Sequence, residues 1–172
     1  MEDRVEVTDE VMDALGKARD EARALGHGYV GTEHILIAFS QVPCRGADTL
    51  KVQGVTLDAL RAELRRLFEE TEWTRYVPDE ESLAAIGVDL DAIRSKAEAE
   101  FGEGVLPMKG PRGLTRRLHA LIDAAGQRSR RARDEAATVD DVFTELLRDE
   151  DSIAVEVLRR AGADLPALRA AL

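Results

Sequence analysis

Side chains able to do chemistry are few in these 172 residues: three histidines (His27, His34, His119), one cysteine (Cys44) and scattered hydroxyls. His27 and His34 are seven apart across the glycine-rich stretch GHGYVG (26–31), and His119 has no second ligand at helical spacing. No metal site is expected from such a set. Glu33 and His34, beside Thr32, could form an acid–base pair. Adjacent residues on a helix diverge by about 100°, however, so a nucleophile would have to come from elsewhere, with Ser40 and Cys44 the candidates. Neither lies in a nucleophile motif. His34 reads rather as a helix-surface or half-buried residue bonded to backbone. No GxxxxGK[ST], GxSxG, HExxH or EF-hand loop occurs. The expectation is a protein that is not an enzyme and carries no cofactor.

Charge narrows the partners. Lys and Arg total 24 against 34 Asp and Glu, a net of −10. That balance is wrong for a protein that neutralises phosphate backbones, so nucleic acid is not the expected partner. The arginine run RSRRAR (128–133) is expected to pair internally with Asp123, Asp134 and Glu135. One cysteine cannot make an intramolecular disulfide. Residues 1–8 (MEDRVEVT) lack the apolar run of a signal peptide, and no stretch approaches the roughly 18 apolar residues of a membrane span. A cytoplasmic location without membrane contact follows as the expectation.

The elements that would position these groups are helical and repeated. Residues 7–25 align with 114–132, placing Thr8 on Thr115, Val11 on Leu118 and Leu15 on Ile122. The same offset sets Glu33 on Asp140 and Leu36 on Phe143. After one inserted residue, GVTLDALRAEL (54–64) overlies GADLPALRAAL (162–172). Val7, Val11, Leu15, Ala18, Ala22 and Leu25 form the stripe of an amphipathic helix, with Thr8 as its N-cap. Thr32 is expected to cap a second helix carrying Ile35, Leu36 and Phe39. A short third helix follows over 46–53, and a fourth runs from just after Val55 to about Glu70. The second unit predicts helices over about 114–133, 139–149, 152–161 and 165–172. Residues 71–113 carry 9 acids and 5 bases, with prolines and glycines clustered at 102–113, and read as an insert with helical stretches at 80–86 and 89–101. Trp73 and Tyr76 fall in it, as cover for the seam between units or as a contact for a partner. The expected fold is all-α: a first repeat (1–70), an acidic insert (71–113) and a second, divergent repeat (114–172).

A capped helix, then LGHGYVGTEHILIA (25–38), then a helix ending in GVTLDALR (54–61), resembles the N-terminal repeat domain of the Clp ATPases, the ClpC type above all. The GHxYxGTEHIL signature is intact in the first copy; RDEAATVDDVF (133–143) keeps its spacing without its residues. The resemblance implies two tandem four-helix repeats related by a pseudo-two-fold, and a chain that receives cargo and adaptor proteins and performs no chemistry. It implies phosphoarginine pockets that use the threonine opening a repeat and the glutamate of TEH. Carried over, these are Thr8 and Glu33 in the first copy and Thr115 and Asp140 in the second. The long insert and the lack of ATPase modules in this sequence depart from the family pattern. The functions implied are delivery of clients to a Clp ATPase, or sequestration of ligands from it. The alternative is a scaffold or regulatory module whose pocket has decayed.

Overall fold

A computed structural model describes residues 6–70 and 113–172. The expected insert over 71–113, its helical stretches, Trp73 and Tyr76 fall, but for Gly113, outside the described residues. The fold is all-helical, with eight helices among the described residues: α1 (Asp9–Ala24), α2 (Thr32–Phe39), α3 (Arg45–Val52), α4 (Leu57–Glu70), α5 (Arg116–Ala132), α6 (Val139–Arg148), α7 (Ile153–Arg160) and α8 (Leu165–Ala171). They form two sets of four in the same order, as the sequence alignment of its two ends predicts.

Local chemistry repeats along with the helices. Gly54 and Gly162 hold positive φ, 75° and 81°, just after α3 and α7. The next amide in each turn returns to the helix, Val55 N–H to the Leu50 carbonyl and Ala163 N–H to the Leu158 carbonyl. Cys44 and Ser152 cap these same helices, each accepting the third following amide at 3.3 Å. Gly26, at φ 72°, closes α1, while Arg133 closes α5 at φ 66° without the freedom of glycine.

Each repeat donates its first residues to the other. Thr8 N–H bonds the Ala137 carbonyl at 3.0 Å and Ala137 N–H bonds the Glu6 carbonyl at 2.9 Å. The mate of that pair is Thr115 N–H to Val30 carbonyl at 2.8 Å, with Val30 N–H to Gly113 carbonyl at 2.9 Å. The resulting isolated parallel bridges, Val7 with Ala137 and Val30 with Leu114, exchange the two repeats. This reciprocity is the pseudo-two-fold at the level of backbone.

Between the bridges lies a shared core. All eight residues of α2 are buried, the polar Thr32, Glu33 and His34 of its first turn among them. It packs against α1 and α4 of its own repeat and α6 and α7 of the other. Phe39 and Phe143 meet with ring centroids 5.5 Å apart, both fully buried. Gly46 of α3 lies against the Phe143 ring so closely that an added Cβ would sit 2.0 Å from it. Within the run 128–133, Arg128 pairs internally but with a different partner from those expected, reaching across to Glu145 of α6 at 2.7 Å. The expected partners Asp123, Asp134 and Glu135 lie on its own helix and following turn, whereas packing α5 on α6 leaves Arg128 facing Glu145.

Two substitutions check this packing. Gly46→Ala pushes α3 away from the Phe143 ring and costs about 1–3 kcal/mol, read as a lowered urea midpoint. Arg133→Gly relieves a left-handed residue and raises stability by about 0.5–1 kcal/mol in the same assay.

Candidate functional site

The residues that carry the sequence signature converge at the N-terminus of α2. The turn 26–31 folds back on itself, so that His27 Nδ1 lies 2.8 Å from His34 Nε2. His34, fully buried, accepts the Gly31 N–H on Nδ1 at 3.0 Å. That bond fixes the tautomer, leaving the proton on Nε2 to be donated to His27 Nδ1. The cap of α2 is therefore not Thr32, as the sequence suggested. Thr32 is already the first helical residue, Gly31 is the N-cap, and the imidazole of His34 satisfies its amide. Nor is His34 a surface residue.

Glu33 is buried beside this pair. Its carboxylate accepts its own backbone N–H, receives the Thr32 hydroxyl at 3.5 Å and lies 3.2 Å from His34 Nδ1. Burial pushes its pKa above the ordinary carboxylate range, against the pull of those hydrogen bonds. The same burial, with His27 close by, brings His34 from the ordinary 6.5 down to about 3; burial also lowers His27. Phe68 of α4 covers His27, with ring centroids 4.4 Å apart. The ligand atoms of His27, Glu33 and His34 all lie within 4.8 Å of one another, a gathering that seven-residue spacing across a glycine turn did not suggest. Both nitrogens of His34 are already committed, one to the α2 cap and one to His27.

The other residues carried over by resemblance lie at the two bridges. Thr8 is the N-cap of α1 in extended conformation, and its backbone pairing sets it against Ala137, three residues before Asp140. Thr115 caps α5, its hydroxyl accepting Leu118 N–H at 3.2 Å, and its backbone sets it against Val30, three residues before Glu33. Asp140, in the first turn of α6, faces α3. It accepts Arg45 Nε at 3.0 Å and Gly46 N–H at 3.4 Å. Cys44 is the cap of α3, and its thiol is held above its ordinary pKa, chiefly by burial. Sequence reasoning missed the His27–His34 contact and the role of Arg45, because both depend on how turns and repeats fold together. The only sequence signal for the first is that both histidines fall within one motif.

The comparisons with known proteins fit this architecture. The Clp repeat N-terminal domain matches residues 6–82 and again 77–161. Among curated relatives, the chain is similar to an "ATP-dependent Clp protease ATP-binding subunit ClpA homolog" of Cyanidium caldarium, 24% identical over 163 residues, covering 94% of this chain and 15% of that protein. It is also similar to a "Probable ATP-dependent Clp protease ATP-binding subunit" of Chlamydia pneumoniae, 23% identical over 158 residues, covering 91% of this chain and 15% of the relative. The chain thus spans about 15% of the length of these relatives. Among solved structures, the N-terminal domain of the Clp-associated chaperone ClpD from Arabidopsis thaliana superposes with a TM-score of 0.62 at 19% identity, covering 99% of this chain and 96% of that one. The Hsp104 N-terminal domain of Candida albicans gives 0.50 at 12%, covering 96% and 88%. Among the described residues no helix is long and apolar enough to cross a membrane.

The buried imidazoles set a pH dependence. A histidine whose folded pKa lies below its unfolded value of 6.5 leaves stability intact above that pH and removes it as pH falls below. Glu33, raised, acts in the opposite sense through its own pKa. Between pH 7.5 and 5.5 the His34 contribution amounts to a loss of about 1 kcal/mol. Urea unfolding at the two pH values should show this loss in the wild type and a smaller one in His34→Asn, which keeps an acceptor near the Gly31 amide without a titrating ring.

Proposed function

Since the chain belongs to the Clp repeat N-terminal domain family, we propose that it is a binding module of the Clp protein-quality-control system, receiving client proteins that carry phosphoarginine. It either delivers them to a Clp ATPase or withholds ligands from one. The observation that carries this reading is the pair of reciprocal bridges. Each sets the threonine-capped helix start of one repeat against the segment leading to the acid of the other: Thr115 against Val30, three residues before Glu33, and Thr8 against Ala137, three residues before Asp140. In this reading the four residues pair across the repeats and not within them.

The chemistry suits a phosphorylated guanidinium. The phosphate meets the amides and hydroxyl at the start of α5 or α1, where the helix dipole favours an anion. The guanidinium meets the carboxylate of Glu33 or Asp140 in a charge-assisted pair. Glu33 is prepared for this by its burial: a desolvated carboxylate with a raised pKa gains more from an arriving cation than one already solvated. No group in the described site needs to act as a nucleophile for this function. A scaffold whose second pocket has decayed is the other reading, and the engagement of Asp140 by Arg45 and Gly46 favours it for that copy.

Calorimetric titration with phosphoarginine, against arginine and phosphoserine, tests the proposal. Saturable heat is expected with phosphoarginine alone, and Glu33→Ala should weaken it about ten- to hundredfold, the worth of a hydrogen bond to a charged group. Affinity should also fall as pH is lowered, beginning above the range where an ordinary carboxylate titrates, as Glu33 takes up a proton, and change less in Glu33→Gln. Silence with all three ligands would leave the scaffold reading.

A further inference from the structure

The two copies differ in what their acids already hold. Glu33 is closed in by its own turn, with Thr32 and His34 as its neighbours. Asp140 faces the other repeat and holds a guanidinium: Arg45 Nε lies 3.0 Å from Oδ2. The second oxygen accepts the Gly46 amide at 3.4 Å, so the carboxylate bridges side chain and backbone at the start of α3. The arginine side chain is 63% exposed while the aspartate side chain is 19% exposed. The acid is thus fixed in the protein and the cation reaches it from solvent. Alignment of the repeats sets Asp140 on Glu33, the position to which the proposed pockets assign the guanidinium of a ligand.

From this we infer that Arg45 is an internal occupant of the Asp140 site, and that an arginine-bearing ligand binds there only by displacing it. The inference rests on the reading of these pockets as guanidinium receptors. It adds that the two sites are unequal for a stated reason: one must exchange a guanidinium already in place, the other need not. The chemical class of the ligand is written in the resident, a planar guanidinium that donates its Nε–H to one oxygen of the carboxylate. An exposed ion pair is weak and exchanges readily, so the resident lowers the apparent affinity without closing the site. Since apparent affinity scales with the fraction of sites standing open, removing Arg45 should tighten the second site about two- to fivefold. The exposed position of Arg45 at the first residue of α3 makes its truncation tolerable to the fold.

The test follows Arg45 itself. Nitrogen-15 spectra of the wild type, titrated with phosphoarginine and separately with arginine, report the Arg45 Nε–H together with the Gly46, Gly31 and Glu33 amides. Calorimetry is run alongside on wild type, Arg45→Ala and Asp140→Asn. The Arg45 Nε–H and Gly46 N–H are expected to shift together with phosphoarginine. Arg45→Ala should show the second binding phase about two- to fivefold tighter, and Asp140→Asn should lose that phase. If the Gly31 and Glu33 amides shift while Arg45 Nε–H stays fixed and Arg45→Ala binds as the wild type does, the receptor reading stands and internal occupancy is wrong. If nothing shifts and Arg45→Ala also fails to bind, both are wrong.

Discussion

The structure depends on two short parallel backbone pairings, Val7 with Ala137 and Val30 with Leu114. Each ties the entry of one repeat to the turn that precedes the second helix of the other. Four hydrogen bonds there give backbone groups partners that their own repeat does not supply, and an unpaired group at the buried Val30 or Ala137 is costly. The pairings therefore make the two sets of helices interdependent. They also bring together residues far apart in the chain: Thr8 with the turn before Asp140, and Thr115 with the turn before Glu33. A site built this way belongs to neither repeat alone.

With the repeats joined, α2 becomes the centre of the molecule. Its TEHILIAF sequence is apolar beyond the first turn, and all eight residues are buried between helices of both copies. A helix start in such a place cannot rely on water to satisfy its amides. His34 serves instead, giving Nδ1 to the Gly31 amide and Nε2–H to His27. That arrangement keeps both imidazoles neutral and leaves the Glu33 carboxylate in a low-dielectric pocket with a raised pKa. Stability and the electrostatics of the candidate pocket thus come from one network. The second copy has Asp141 where the first has His34, and there Thr138 and Asp141 form a capping box open to solvent. The difference in burial between the two acids follows from that exchange.

At this same end of α6, the fit of α3 is set by shape. Gly46 admits the Phe143 ring, and Asp140 accepts the Gly46 amide and the Arg45 side chain. Gln53 and Asp164 add a reciprocal pair between the end of α3 and the start of α8, at 3.0 and 3.1 Å. The short third helix, unremarkable in sequence, is thus fitted against α6 and α8 of the second repeat.

The helices were legible in the chain itself because their causes are local. Apolar spacing along Val11, Leu15, Ala18 and Ala22, glycines at Gly26, Gly54 and Gly162, and the alignment of the two ends need no partner to be read. The residues carrying the family resemblance were legible too, since side-chain type and order are written in sequence. Their pairing was not. Whether Thr8 faces Glu33 or the turn before Asp140 depends on which backbone segments exchange hydrogen bonds, and periodicity within one helix carries no information on that. The cap at Gly31, assigned by sequence to Thr32, is of the same kind: it follows from a buried imidazole that only the packed core holds in place. Likewise Arg45 and Asp140 are 95 positions apart, and only the docking of α3 on α6 made them neighbours.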